Sequence, residues 1–84
     1  MESIDKIKFY GALWCGDCVR AKFLFDIHHI DYEYIDIDKN PEAEKIVLEI
    51  NKGMRSIPVI VFPDGTVFVE PRTEELAKKL GVVS

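Results

Sequence analysis

Three stretches decide the fold: Lys6-Ile7-Lys8-Phe9-Tyr10, then Trp14-Cys15-Gly16-Asp17-Cys18, then Tyr32-Glu33-Tyr34-Ile35-Asp36-Ile37-Asp38. The first alternates polar and apolar residues, as a half-buried strand does, and Gly11 ends it. After Cys15, the residues Val19, Phe23, Ile27 and Ile30 recur at spacings of four, four and three, which marks one face of a helix. His28 and His29 end that helix, where a cation suits the helix dipole. The third stretch alternates again, with Glu33, Ile35 and Ile37 on one face and Tyr32, Tyr34 and Asp36 on the other. A strand–helix–strand unit needs a crossover, so these two strands are expected to run parallel.

The remaining elements follow from local signals. Asn40-Pro41-Glu42 is a helix start: Asn caps, Pro suits the first helical position, and Glu favours the first turn. Ala43, Ile46, Val47 and Ile50 form its apolar stripe, and Gly53 can close it in a left-handed conformation. Val59-Ile60-Val61-Phe62 is continuously apolar and suits a central strand buried on both faces. Pro63-Asp64-Gly65 turns the chain into a hairpin partner over Thr66 to Glu70. Thr73-Glu74-Glu75-Leu76 opens a last short helix ending near Gly81. The expected fold is α/β with order βαβαββα, a four-stranded mixed sheet flanked by helices on both faces. The loop holding the cysteines sits at the carboxyl end of the first strand, where open α/β sheets place their sites.

With 84 residues, the chain suits one domain over 1–84 with a modest core. Apolar residues make up 48% and charged residues 31%, a globular composition. A net charge of −4 argues against a nucleic-acid binder, which concentrates basic residues on one face. No apolar run approaches the roughly 18 residues that span a bilayer. The start, Met1-Glu2-Ser3-Ile4-Asp5-Lys6, lacks the order of an export signal, so a cytoplasmic location is expected. Two cysteines are too few for a disulfide-stapled secreted scaffold.

Cys15 is expected at the helix N-terminal boundary and Cys18 one turn inside. Unpaired N–H groups and the helix dipole there favour a thiolate at Cys15. Two cysteines three apart across a helix start can close a disulfide, and one can attack a mixed disulfide formed by the other. A structural staple over so short a loop would constrain the unfolded chain little. A zinc site would need four ligands, and His28 and His29 lie about 15 Å or more down the same helix. Two core cysteines without chemistry remain an alternative, but a CxxC at a strand-to-helix junction reads first as redox.

Cys15-Gly16-Asp17-Cys18-Val19-Arg20-Ala21-Lys22 resembles the CxxCxRAK segment of glutaredoxins, and Arg55-Ser56-Ile57-Pro58 resembles their R-T-V-P segment. The order of elements is that of the glutaredoxin form of the thioredoxin fold over nearly the whole chain. Within the family the chain resembles mycoredoxins and related small bacterial glutaredoxins, which share a Trp before the first Cys, an Asp-Gly hairpin as at Asp64-Gly65, and a Pro as at Pro71. The resemblance implies a thiol–disulfide oxidoreductase with Cys15 as nucleophile and Cys18 as resolving thiol. It implies that Pro58 is cis, that the Ile57 backbone pairs with a substrate's backbone, and that Arg55 lies near the carboxylate of a tripeptide thiol. Arg72 and Thr73 fall where many glutaredoxins carry a Gly-Gly pair that helps hold glutathione, which makes them candidate substrate contacts. The expected substrates are protein disulfides or small-thiol mixed disulfides. Electrons would come from a low-molecular-weight thiol such as glutathione or from a flavoprotein reductase, with no organic cofactor or metal. An iron–sulfur cluster carrier, holding a cluster between two chains through Cys15 and an external thiol, is the alternative class.

Trp14 is a candidate docking residue beside the disulfide. Arg20 and Lys22 either raise the positive potential near the thiolate or form the solvated side of the helix. Asp17 is expected in the first helical turn, where its charge opposes a thiolate at Cys15 by roughly 0.6–1.2 kcal/mol at about 7 Å. Asp31 to Glu44 holds six acids against one base, Lys39, and reads as a solvated face.

Overall fold

A computed structural model describes residues 6–82. The opening residues Met1 to Asp5, on which the expectation about export signals rests, lie outside the described residues. The chain runs β1 (Ile7–Gly11), α1 (Gly16–Ile27), β2 (Tyr32–Asp36), α2 (Pro41–Ile50), β3 (Val59–Val61), β4 (Val67–Val69) and α3 (Thr73–Leu80). The sheet order is β2-β1-β3-β4. β1 and β2 are parallel, with Phe9 opposite Tyr34. β3 lies antiparallel to both β1 and β4, with Ile60 opposite Phe9 and Phe68. This is the expected mixed sheet.

Both faces of the two inner strands are covered. Neighbours on one strand point to opposite faces, yet Phe9 and Tyr10 are both buried, as are Val59 and Ile60. Phe9 meets Phe25 of α1 edge-on at 5.7 Å, and Phe25 meets Tyr32 at 4.8 Å. The face that carries Phe9 and Ile60 is therefore covered by α1, and α3 packs beside α1. The opposite face, with Tyr10 and Val59, is left to α2, whose Ala43 and Val47 are buried.

One expectation about α1 is overturned. Val19, Phe23 and Ile27 are 52, 64 and 54% exposed, while Cys18, Ala21, Leu24 and Phe25 face the core. Only Ile30, beyond the helix, packs partly against the core. The helix carries apolar residues on two sides, so periodicity alone does not select the buried one. The contacts of Phe25 with Phe9 and Tyr32 select it.

The predicted ends hold with small shifts. Asn40 Oδ1 accepts the Ala43 N–H at 3.1 Å, capping α2 ahead of Pro41. Lys52 (φ 55°) already takes the left-handed conformation before Gly53 (φ 97°), whose N–H closes on the Leu48 carbonyl at 2.7 Å. His28 is the C-terminal cap of α1, and Gly81 (φ 75°) is that of α3.

Candidate functional site

β1 delivers the chain through Ala12-Leu13-Trp14 to Cys15, whose extended backbone (φ −87°, ψ 117°) breaks the strand and caps α1. The Cys18 N–H donates to Cys15 Sγ at 3.4 Å, so the sulfur takes the part that a Ser or Asp oxygen usually plays at a helix start. Both cysteines are free thiols; Cys15 is partly exposed and Cys18 is buried. Burial pushes the Cys18 thiol up to about 12, and the neighbouring Cys15 and Asp17 act in the same direction against a backbone hydrogen bond at Ala12. Gly11 makes room for this arrangement. A Cβ there would meet Cys18 Sγ and Phe9 Cε1, each at 3.0 Å.

The loop before β3 closes over the other sulfur, that of Cys15. The Ile57–Pro58 peptide is cis, and Cys15 Sγ points at the Ile57 carbonyl oxygen, 4.0 Å away. Pro58 is fully buried, and its carbonyl accepts the Glu70 N–H at 2.8 Å, which ties the loop to the end of β4. Three separate segments thus meet at the cysteine pair: the start of α1 carries both sulfurs, the end of β1 abuts Cys18 Sγ, and the loop carrying the cis proline faces Cys15 Sγ.

A glutaredoxin family model matches residues 7–68. The chain belongs to the glutaredoxin family. It is similar to a glutaredoxin of Mycobacterium tuberculosis, with 34% identity over 74 residues, 88% of each chain. It is also similar to mycoredoxin 1 of Corynebacterium glutamicum, with 29% identity over 77 residues, 92% of this chain and 95% of that one. The solved glutaredoxin of Archaeoglobus fulgidus superposes with a TM-score of 0.73 at 26% identity, covering 93% of this chain and 88% of the other. Glutaredoxins are thiol–disulfide oxidoreductases that act on disulfide substrates with thiol or reductase partners, and this glutaredoxin is an enzyme of that class.

The other expected site residues fall on two sides of the glutaredoxin cysteines. On one side, exposed Trp14 donates its indole N–H to Asp38 Oδ2 at 2.5 Å. Arg55 pairs with Asp38 through Nη2 and with Glu44 through Nε at 2.5 Å. Its guanidinium also lies 5.9 Å from the centre of the Trp14 ring. The hydrogen bonds from Trp14 and then Arg55 hold the Asp38 carboxyl below the usual carboxylate range. The acids of Asp31 to Glu44 lie exposed or half-buried, as a solvated face requires, and two of them, Asp38 and Glu44, pair there with Arg55.

On the other side, Asp17 is paired with Arg20 one turn along, which offsets its charge toward the cysteines. Lys22 pairs with Asp26 at 3.1 Å, so both basic residues of α1 belong to its solvated side. Asp17, Arg20 and Leu24 line a shallow cleft with Pro71 and Thr73 of the α3 start. Arg72 precedes α3 without capping it through its side chain.

The sequence alone gives Gly11, Asp38 and Glu44 no place in the site. Gly11 carries a signal as the glycine that ends a strand four residues before Cys15; the two acids carry none beyond their charge. Among the described residues, no group of three or more His, Cys, Asp or Glu side chains is arranged to hold a metal ion. No helix of the described residues is long and apolar enough to cross a membrane.

Proposed function

We propose that this glutaredoxin reduces protein disulfides or small-thiol mixed disulfides by a dithiol cycle, with Cys15 as nucleophile and Cys18 as resolving thiol. One observation carries the reading: Cys15 is partly exposed and receives the Cys18 N–H, while Cys18 is buried and its thiol is held well above neutral pH. The Cys15 thiolate attacks one substrate sulfur and expels the other as a thiolate. Cys18 then gives up its proton to a departing thiolate and attacks Cys15 Sγ, expelling the second substrate sulfur. Two electrons pass to the substrate, and a Cys15–Cys18 disulfide remains. A small thiol or a flavoprotein reductase returns the two electrons.

The Ile57 backbone at the Cys15 sulfur gives an extended substrate segment a place to pair. Leu13, Trp14 and Met54 are large, exposed apolar side chains close in sequence to Cys15 or Arg55, and they supply contact area for a protein substrate. Arg72 and Thr73 contribute from the α3 start. A reducing compartment such as the cytoplasm suits a dithiol that must be re-reduced after each turnover.

Trapping tests the assignment. Cys18→Ser is expected to accumulate a mixed disulfide with a protein substrate, and Cys15→Ser to accumulate none. Limiting iodoacetamide at neutral pH is expected to label Cys15 first. Preferential labelling of Cys18 would reverse the two roles.

A further inference from the structure

We infer that Asp38 and Glu44 are specificity-determining residues that keep Arg55 from serving carboxylate-bearing small thiols, so the preferred substrates carry no carboxylate beside the reacting sulfur. The inference deepens the proposed Cys15 reaction and rests on it.

The guanidinium of Arg55 is shared by two carboxylates of its own chain, and the Trp14 indole both fixes Asp38 and lies against the arginine. One cation against two anions leaves this cluster with a net charge of −1. The cluster also stands close to the chemistry. Trp14 is the residue before Cys15, and Arg55 lies two residues before Ile57, whose carbonyl is 4.0 Å from Cys15 Sγ. Two residues of chain keep the Arg55 and Ile57 Cα atoms within about 7 Å, and the Trp14 indole reaches Asp38 Oδ2 at 2.5 Å, so the cluster borders both segments that flank Cys15. An incoming carboxylate therefore meets an arginine already compensated and two acids that repel it. On the far side of the cysteines the Arg20 charge is likewise taken up by Asp17. Asp38 adds a backbone anchor, since its N–H donates to Asp36 Oδ1 at 2.9 Å, so a third carboxylate stands nearby.

The discriminating step is the first exchange. The reduced protein's Cys15 attacks a sulfur of the small disulfide and releases one small thiolate; Cys18 then displaces the second and closes the protein disulfide. Glutathione disulfide and the disulfide of glutathione diethyl ester undergo the same exchange but differ in their carboxylates. A unit charge about 7 Å away in water changes a rate by about threefold, so a cluster of net charge −1 disfavours a substrate carboxylate by about that factor.

Stopped-flow rates of the reduced protein with each disulfide, normalised to those of 2-mercaptoethanol with the same disulfides, test this at low and high salt. At low salt the wild type is expected to favour the ester disulfide by about threefold, with the preference shrinking as salt rises. Asp38→Asn with Glu44→Gln is expected to bring the ratio to about one or to invert it. Glu44→Gln alone, at a partly exposed site, is expected to shift the ratio about threefold, which keeps the test open if the double variant is unstable. Equal wild-type rates, or a ratio unmoved by these variants, would overturn the inference while leaving the Cys15 reaction intact. Failure to reduce either disulfide would instead remove the Cys15 reading itself, and this inference with it.

Discussion

Replacing Gly11 by Ala places one methyl group between β1 and the buried thiol. The new Cβ would stand 3.0 Å from both Cys18 Sγ and Phe9 Cε1, where carbon contacts prefer about 3.5–4.0 Å. Cys18 is 1% exposed and Phe9 is 0%, so neither can swing into solvent. Overpacking of this kind costs about 1–3 kcal/mol. Gly11 is not among the residues with positive φ, so the substitution also gains about 0.4–1 kcal/mol by restricting the unfolded chain. The net expectation is a loss of between about 0 and 2.6 kcal/mol. For a domain of this size, where 1 kcal/mol shifts Tm by about 4–8 °C, that lowers Tm by up to roughly 20 °C. Removing the sulfur opens the space again, so Gly11→Ala combined with Cys18→Ala is expected to be less destabilised than the two single changes added, by about 1 kcal/mol. Urea unfolding of the reduced wild type, both single variants and the double variant measures this. The mixed disulfide at Cys15 is also expected to persist longer in Gly11→Ala, because the displaced Cys18 sulfur is less well placed to attack it. Stabilisation by Gly11→Ala, or strict additivity in the cycle, would refute the contact.

Three further expectations follow from other parts of the molecule. Phe25→Ala is expected to cost about 3–5 kcal/mol and Phe23→Ala to stay within about 0.5 kcal/mol, measured by urea unfolding; the opposite ranking would contradict the buried face of α1. The Cys18 thiol, at about 12 in the fold against its ordinary 9.0, keeps a proton that the unfolded chain gives up; its contribution is therefore complete below pH 9 and is lost as pH rises toward 12. The stability difference between the reduced wild type and Cys18→Ser should fall across that window by up to about 1.4 kcal/mol per pH unit, and a flat difference would count against the burial effect. Asp38 is held below the usual carboxylate range, so its links to Trp14 and Arg55 persist from neutral pH through 4 and break only on further acidification. Trp14, the single tryptophan, should show steady fluorescence to pH 4 and a change below it that Asp38→Asn abolishes.

Much of this glutaredoxin is written locally. Alternation in Lys6 to Tyr10 and Tyr32 to Asp36, the Asn40-Pro41 start and the Asp64-Gly65 turn specify elements through contacts within a few residues. The place of Cys15 at a helix boundary is legible for the same reason. Its family is legible too, through two short motifs at Cys15 to Lys22 and Arg55 to Pro58. Other features depend on how those elements are brought together. Residues 16–27 offer apolar side chains on both sides, and only Phe9 and Tyr32 on the neighbouring strands decide that Phe25 turns inward while Phe23 faces water. Arg55 finds its partners 11 and 17 residues away, across a helix and two loops. Gly11 matters because α1 brings a sulfur within contact of its backbone. Periodicity and turn chemistry act over one or two turns of chain, whereas ion pairing and close packing act through space, so these features arise only when the sheet and its helices are assembled.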